Sequence, residues 1–177
     1  MNLELKRNKF HLIIGADYVN DYISKIEGLS AFGCQYVTIL HDCDTDALGV
    51  LKNKHYHLIC KLNDRIRAST FLNKISKLLE CNAVNIQIDE CYDYIACIQY
   101  LIHLNNSDKY QYDINQLVTN IDFEIIKSYM ITKCTYELSA ELLLQYVNSG
   151  MSKTDLLKTI GLSKFNCYYR VIDMLYR

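Results

Sequence analysis

The sequence predicts an α+β fold, and three observations carry the prediction. Short apolar or alternating runs with strand character recur at residues 10–14, 34–41, 54–62 and 84–88. Segments with helical spacing separate the first run from the second and the third from the fourth, and another follows the fourth. The second and third runs are joined by a polar loop short enough for an antiparallel hairpin. The order β-α-β-β-α-β-α resembles a ferredoxin-like (split βαβ) antiparallel sheet with helices on one face, followed by a small all-α C-terminal region.

Residues 10–14 (Phe-His-Leu-Ile-Ile) form an apolar run closed by Gly15. Residues 18–29 place Tyr22, Ile23 and Ile26 on one side of a helix that stops near Gly28. Residues 34–41 are β-branched and aromatic, and a polar turn (Asp42 to Asp46, then Gly49) leads into the strand 54–62. A helix from 68 to about 81 carries Phe71, Ile75, Leu78 and Leu79 at helical spacing, with Ser69 as its expected N-cap. Val84-Asn85-Ile86-Gln87-Ile88 alternates strictly, and residues 92–104 are again helical. Between Tyr110 and Thr135 the pattern weakens. The expected boundary separates a first domain, 1–120, from a helical region, 121–177, with helices at 136–147, 152–160 and 164–175. Ser152 and Ser163 read as N-caps, and Gly150 and Gly161 as stops. Such short helices suit either a helix-turn-helix or an oligomerisation bundle.

Half of the 177 residues are apolar and 22% are charged, which marks a globular chain, and no apolar run approaches a membrane span. The start lacks the pattern of a signal peptide. Eight cysteines form no Cys-x-x-Cys pair, so buried reduced thiols in a cytoplasmic protein are expected. Net charge is −1, so no overall positive field announces nucleic acid. Locally, however, Lys52, Lys54, Lys61, Arg65 and Arg67 face the single acid Asp64 in residues 52–67.

The chemistry gathers around Lys54-His55-Tyr56-His57. Side chains alternate along a strand, so His55 and His57 share a face. Alone, the pair serves equally well as two hydrogen-bonded structural histidines. His41 ends the neighbouring strand and Asp44 follows it, and hairpin geometry can bring both to the His-Tyr-His segment. Three imidazoles and a carboxylate would then converge with open positions for substrate oxygens. Mixed nitrogen and oxygen ligands suit Mn²⁺ well, and Mg²⁺ less. Asp42 and Asp46 also lie in reach, with turn formation the better reading of each. On the helix 92–104, Ile95, Ile98 and Ile102 form the expected apolar stripe. Tyr100 points well away from it, beside small Ala96 and with His103 one turn on. A tyrosine so placed can reach towards a metal site, and Tyr110 and Tyr112 are near enough in sequence to compete with it there.

Three ordered segments now stand together: His41-Asp42-Cys43-Asp44; Gly49 through His55-Tyr56-His57 to Ile59; and Tyr100-Leu101-Ile102-His103 with Lys109 and Tyr110. They resemble the motifs of plasmid rolling-circle replication initiators. These are Rep proteins of the HUH endonuclease superfamily, in particular the Gram-positive plasmid group with a single catalytic tyrosine. The likeness covers about residues 6–115, and Lys54 departs from it, standing where relatives usually carry proline.

The resemblance implies His41, Asp44, His55 and His57 as metal ligands and Tyr100 as nucleophile. It implies nicking of an origin strand to a 5′-phosphotyrosine and a free 3′-OH, with rejoining at the same site. His103 is the expected catalytic assistant. Lys52, Lys54, Lys61, Arg65, Arg67 and Lys109 are the expected DNA contacts. The implied partners are origin DNA (a single-stranded or hairpin nick site and adjacent duplex), a further copy of the chain, and a host helicase and polymerase. The rival readings are a relaxase or transposase-type HUH nuclease, a non-catalytic ferredoxin-like nucleic-acid-binding module with a structural metal, and a phosphodiesterase using metal-bound water.

Overall fold

A computed structural model describes residues 2–104, 106, 108–131 and 148–160. The chain divides into two compact units, Met1–Thr132 and Lys133–Arg177. In the first, β1 (Lys6–Gly15), β2 (Cys34–His41), β3 (His55–Arg67), β4 (Ile86–Glu90) and β5 (Val118–Thr119) form one sheet in the order β4-β1-β3-β2-β5. Every neighbouring pair is antiparallel. β3 therefore lies between β1 and β2, which is the ferredoxin-like arrangement expected from the element order.

Alternation along the central strands builds two cores. Phe10, Leu12 and Ile14 of β1 and Leu58 and Cys60 of β3 face α1 (Tyr22–Ile26) and α2 (Ala68–Leu79), meeting Tyr22, Ile26, Phe71, Ile75 and Leu79. Val37, Ile39 and Ile59 face the other way. They are covered by Ile98 and Leu101 of α3 (Tyr94–Leu101) and Ile126 of α4 (Phe123–Ile131). Helices thus cover both faces rather than one, because the strands present apolar side chains on both.

Local chemistry moves several element ends from their expected places. The helix of 18–29 is α-helical only over Tyr22–Ile26, with 3₁₀ turns at Ala16–Tyr18 and Glu27–Phe32. Gly28 does not stop it. A Cβ there would stand 3.0 Å from Leu78, so this glycine permits close approach to α2. Gly33, at φ +62°, ends the turn and starts β2. Ser69 is not the cap of α2. β3 runs directly into the helix, Arg67 occupies the cap position, and Ala68 N–H and Ser69 N–H donate to the carbonyls of Leu5 and Leu3. β4 begins at Ile86, after a 3₁₀ turn in which the Asn82 side chain accepts from Val84 N–H.

α3 is shorter than expected. Asp93 caps it by accepting from Ile95 and Ala96 N–H, and its end is a Schellman motif. His103 N–H donates to Tyr100 C=O and Leu104 N–H to Gln99 C=O, with His103 at φ +57°. Of the expected stripe Ile98 and Ile102 are buried, Ile95 is only partly so, and Tyr94 and Leu101 complete the buried face. Residues 110–135, which carry no clear pattern, contain β5 and α4. β5 makes only two pairings with β2, too few for periodicity to register. The first unit runs to Thr132, past the 120/121 boundary read from the sequence.

In the second unit the helix Lys153–Ile160 is capped by Ser152, whose Oγ accepts from Asp155 N–H at 3.1 Å. The expected helices at 136–147 and 164–175, with Gly161 and Ser163, lie outside the described residues. Among the described residues all six cysteines are free. No described helix is long and apolar enough to cross a membrane.

Phe71 stacks on Phe10 at 4.2 Å and joins α2 to the sheet. Phe71→Ala is expected to destabilise the first unit by about 3–5 kcal/mol, read as a lower urea midpoint at unchanged slope.

Candidate metal and nucleophile site

The site begins with strand register. β2 and β3 pair His41 with His55 and Ile39 with His57, so the three imidazoles occupy one face. β1 adds His11, which alternates with buried Phe10 and Leu12 and so points to that same face. His103 arrives from the end of α3, its ring 4.7 Å from that of His41. All five histidines of the chain therefore gather on one side of the sheet.

His41, Asp44, His55 and His57 each offer a ligand atom, all within 4.8 Å of one another. The neighbouring groups decide which nitrogen is free. A carbonyl oxygen can only accept, so His41 Nε2–H donates to Leu101 C=O at 2.7 Å and His55 Nδ1–H to Asn53 C=O at 2.8 Å. His57 Nδ1 lies 2.7 Å from His11 Nε2. With His57 donating there, its Nε2 is left free. The remaining lone pairs, His41 Nδ1 and His55 Nε2, stand 3.1 and 3.8 Å from Asp44 Oδ2. Lone pairs facing a carboxylate at such distances call for a cation between them, so this donor set fits a divalent metal.

Burial keeps the imidazoles ready for that task. Desolvation lowers the pKa of His11, His41 and His57 below the usual imidazole value, and the crowding of other histidines depresses His57 further. For Asp44, burial pushes upward. The neighbouring His41 and His103, with the hydrogen bond from Tyr112, outweigh it and hold the carboxyl below its usual value.

Tyr100 is half-buried, off the apolar stripe of α3, with its ring edge-on to His57 at 5.8 Å and to His11 at 6.2 Å. Lys109 Nζ donates to its hydroxyl at 2.9 Å and lies 4.8 Å over its ring. The loop that holds Lys109 is tied by Asn106 N–H to His103 C=O and by Gln111 to the carbonyls of Asn106 and Lys109. A tyrosine, a cation at its oxygen and a quartet of residues able to hold a metal thus lie together.

These residues sit inside a matched family. The family model for the plasmid replication protein origin-binding domain matches residues 4–126. The chain belongs to that family. It is also 28% identical over 98 residues to "Replication protein RepB" of Lactiplantibacillus plantarum, covering 55% of this chain and 40% of that protein. The chain spans well under two thirds of the length of that relative.

Within this origin-binding domain, other residues named from the sequence fall into distinct places. Asp42 is exposed, and Asp46 accepts from Leu48 and Val50 N–H, the turn-forming role expected of it. Tyr112 is buried. Its hydroxyl donates to Asp44 Oδ1 at 3.2 Å and accepts from Cys43 N–H, its ring stacks on His41 at 4.3 Å, and burial raises its pKa. It is therefore a holder of Asp44. Tyr110 is exposed, and its carbonyl accepts from His103 Nδ1 at 2.7 Å. His103 is buried, with Nε2 lacking a partner among the described residues and Nδ1 3.8 Å from Asp44 Oδ1.

The basic residues do not form one patch. β3 is thirteen residues long, so Arg67 lies roughly 40 Å along the strand from His55 at about 3.3 Å per residue. Lys52 and Lys54 stand beside the histidines, and Lys61 lies over the Tyr94 ring at 5.6 Å. Arg65 and Arg67 occupy the far end, Arg67 3.6 Å from Glu4. Sequence reading missed His11 and the holding role of Tyr112. The alternation of His11 with Phe10 and Leu12 was the available signal; nothing local marks Tyr112.

His11→Phe keeps a ring but removes the hydrogen bond that orients His57. It is expected to weaken Mn²⁺ binding roughly 10–100-fold, read by calorimetric titration. The metal-free protein in chelator should also lose stability on acidification. The unfolded chain takes up protons near pH 6.5 that His11, His41 and His57 refuse when folded. Stability is thus fully present above that value and falls below it. Urea midpoints between about pH 7.5 and about pH 5.5 check this, and a rise on acidification would contradict it.

Proposed function

We propose that the chain is the catalytic, origin-binding part of a plasmid rolling-circle replication initiator, a metal-dependent nicking and closing endonuclease. The observation that carries this reading is Tyr100, with Lys109 at its hydroxyl, packed edge-on against the His41, Asp44, His55 and His57 quartet. A divalent cation held by those four residues, Mn²⁺ best by donor chemistry, would polarise the scissile phosphate and hold it in line.

Tyr100 is the nucleophile in this proposal. A neutral phenol attacks poorly, and the ammonium of Lys109 stabilises negative charge on its oxygen as the proton passes to solvent. The tyrosine oxygen bonds to phosphorus while the 3′ oxygen leaves and takes up a proton. The product is a 5′-phosphotyrosine and a free 3′-OH that a host polymerase extends. The phosphodiester energy stays in the covalent bond, so the reverse step rejoins strands. His103 ends α3 just beyond Tyr100 and backs His41 and Asp44, which makes it a positioning residue here.

Lys52, Lys54 and Lys109 would contact phosphates at the reacting strand, and Lys61, Arg65 and Arg67 the DNA further along β3. The second unit would bind DNA as a helix-turn-helix, self-associate as a helical bundle, or engage a host helicase. The proposed place of action is the cytoplasm, where plasmid DNA is copied.

Wild type incubated with a labelled single-stranded origin oligonucleotide and Mn²⁺ should give a denaturant-stable protein–DNA band in electrophoresis. Tyr100→Phe should abolish it, Tyr112→Phe should retain it, and Lys109→Gln should slow it on the order of 10²-fold. The band persisting in Tyr100→Phe would move the nucleophile elsewhere. Cleavage without a covalent band would point to water.

A further inference from the structure

The loop between β2 and β3 exposes large apolar side chains beside the site. Leu48 is 88% exposed, Leu51 67% and Val50 60%. Single exposed apolar residues are ordinary, but three within four positions on one tip are not. The tip is rigidly built. Thr45 bridges Leu51, Asp46 N–H donates to Val50 C=O, and Gly49 turns the chain at φ +77°. The Asp46 carboxylate accepts from Leu48 and Val50 N–H, which ties off the backbone and leaves the side chains outside.

Its base is the metal quartet. Lys52 N–H donates to Asp44 C=O at 2.8 Å, and Lys52 and Lys54 lead straight into His55. Leu48 is four residues from Asp44, hence within roughly 13 Å of it at about 3.3 Å per residue. Cationic side chains at the root and a stiff apolar tip match DNA whose stack has been opened. Phosphates meet Lys52 and Lys54, and exposed base faces meet Leu48, Val50 and Leu51.

We propose that this tip is a wedge that enters the DNA where duplex gives way to unpaired strand, holding the strand open beside Tyr100. The occupant is the unstacked base step at that junction. The proposal rests on the nicking function, yet its physical signature is separable from it, because unstacking does not require cleavage.

The test uses the full chain and a DNA hairpin with 2-aminopurine at the first unpaired position next to the stem. Wild type and Tyr100→Phe should both raise its fluorescence several-fold on binding. The combined Leu48→Ser, Val50→Ser and Leu51→Ser variant should not, while binding a stemless single-stranded oligonucleotide within about twofold of wild type. The three sites are exposed, so the fold should be intact, checked by an unchanged urea midpoint. Equal fluorescence gain in the triple variant would overturn the wedge. So would a wild type that binds the hairpin without a gain, or that does not bind it. A triple variant that loses self-association in sedimentation but keeps the gain would make the tip a contact between copies, and also overturn it. A gain in wild type without any covalent adduct in the Mn²⁺ assay would leave the wedge standing and remove the nuclease reading.

Discussion

The pairing of His41 with His55 across β2 and β3 is the constraint on which the site depends. Side chains alternate with period two, so a one-residue slip would send one strand's histidines into the opposite core. That core is built from Leu58, Cys60 and Tyr36 packed on Phe71 and Ile75, and it has no place for them. The apolar face thereby enforces the register of the polar one. Thr38 adds a pin from the same side. Its hydroxyl donates to His57 C=O at 2.6 Å and accepts from Tyr22, whose ring stacks on Tyr56 at 3.7 Å.

The helix carrying Tyr100 is joined to the quartet by a bond that serves both partners. Leu101 C=O lies in the last turn of α3, where carbonyls lack helical donors, and His41 Nε2–H satisfies it. The same bond selects the His41 tautomer whose Nδ1 faces Asp44. Helix end and ligand orientation are therefore set together. His103 completes the arrangement by taking the left-handed position that ends α3, where glycine is the usual choice. That conformation costs about 1–2 kcal/mol, offset in part by its Nδ1 bond to Tyr110 C=O.

A cluster of five histidines and a carboxylate is expensive to desolvate, and its partners explain how the fold tolerates it. His11, Asn53 C=O, Leu101 C=O and Tyr112 each meet one polar atom of the quartet. The arrangement leaves nitrogen lone pairs and a carboxylate oxygen turned towards one another, which is unfavourable without a cation and favourable with one. Lys109 stands apart from that balance. Its charge is placed over Tyr100, where negative charge forms if the hydroxyl reacts.

Much of this was legible in local pattern. The strand and helix order predicts the ferredoxin-like sheet, since each element carries its own periodicity. The period of two places His55 with His57, and helical spacing sets Tyr100 off an apolar stripe whose Ile98 and Ile102 are buried as expected, with Tyr94 and Leu101 beside them in place of Ile95. The hairpin makes His41 and Asp44 neighbours of both histidines. Only tertiary structure brought His11 to His57, 46 residues away, and Tyr112 to Asp44, 68 residues away. It alone seated Lys109 on Tyr100, spread the basic run along β3, and found β5 and α4 in a stretch without clear period. The division is physical. Periodicity records which face a side chain takes within its own element, whereas partners across the fold depend on how faces from distant elements meet, and no local spacing encodes that.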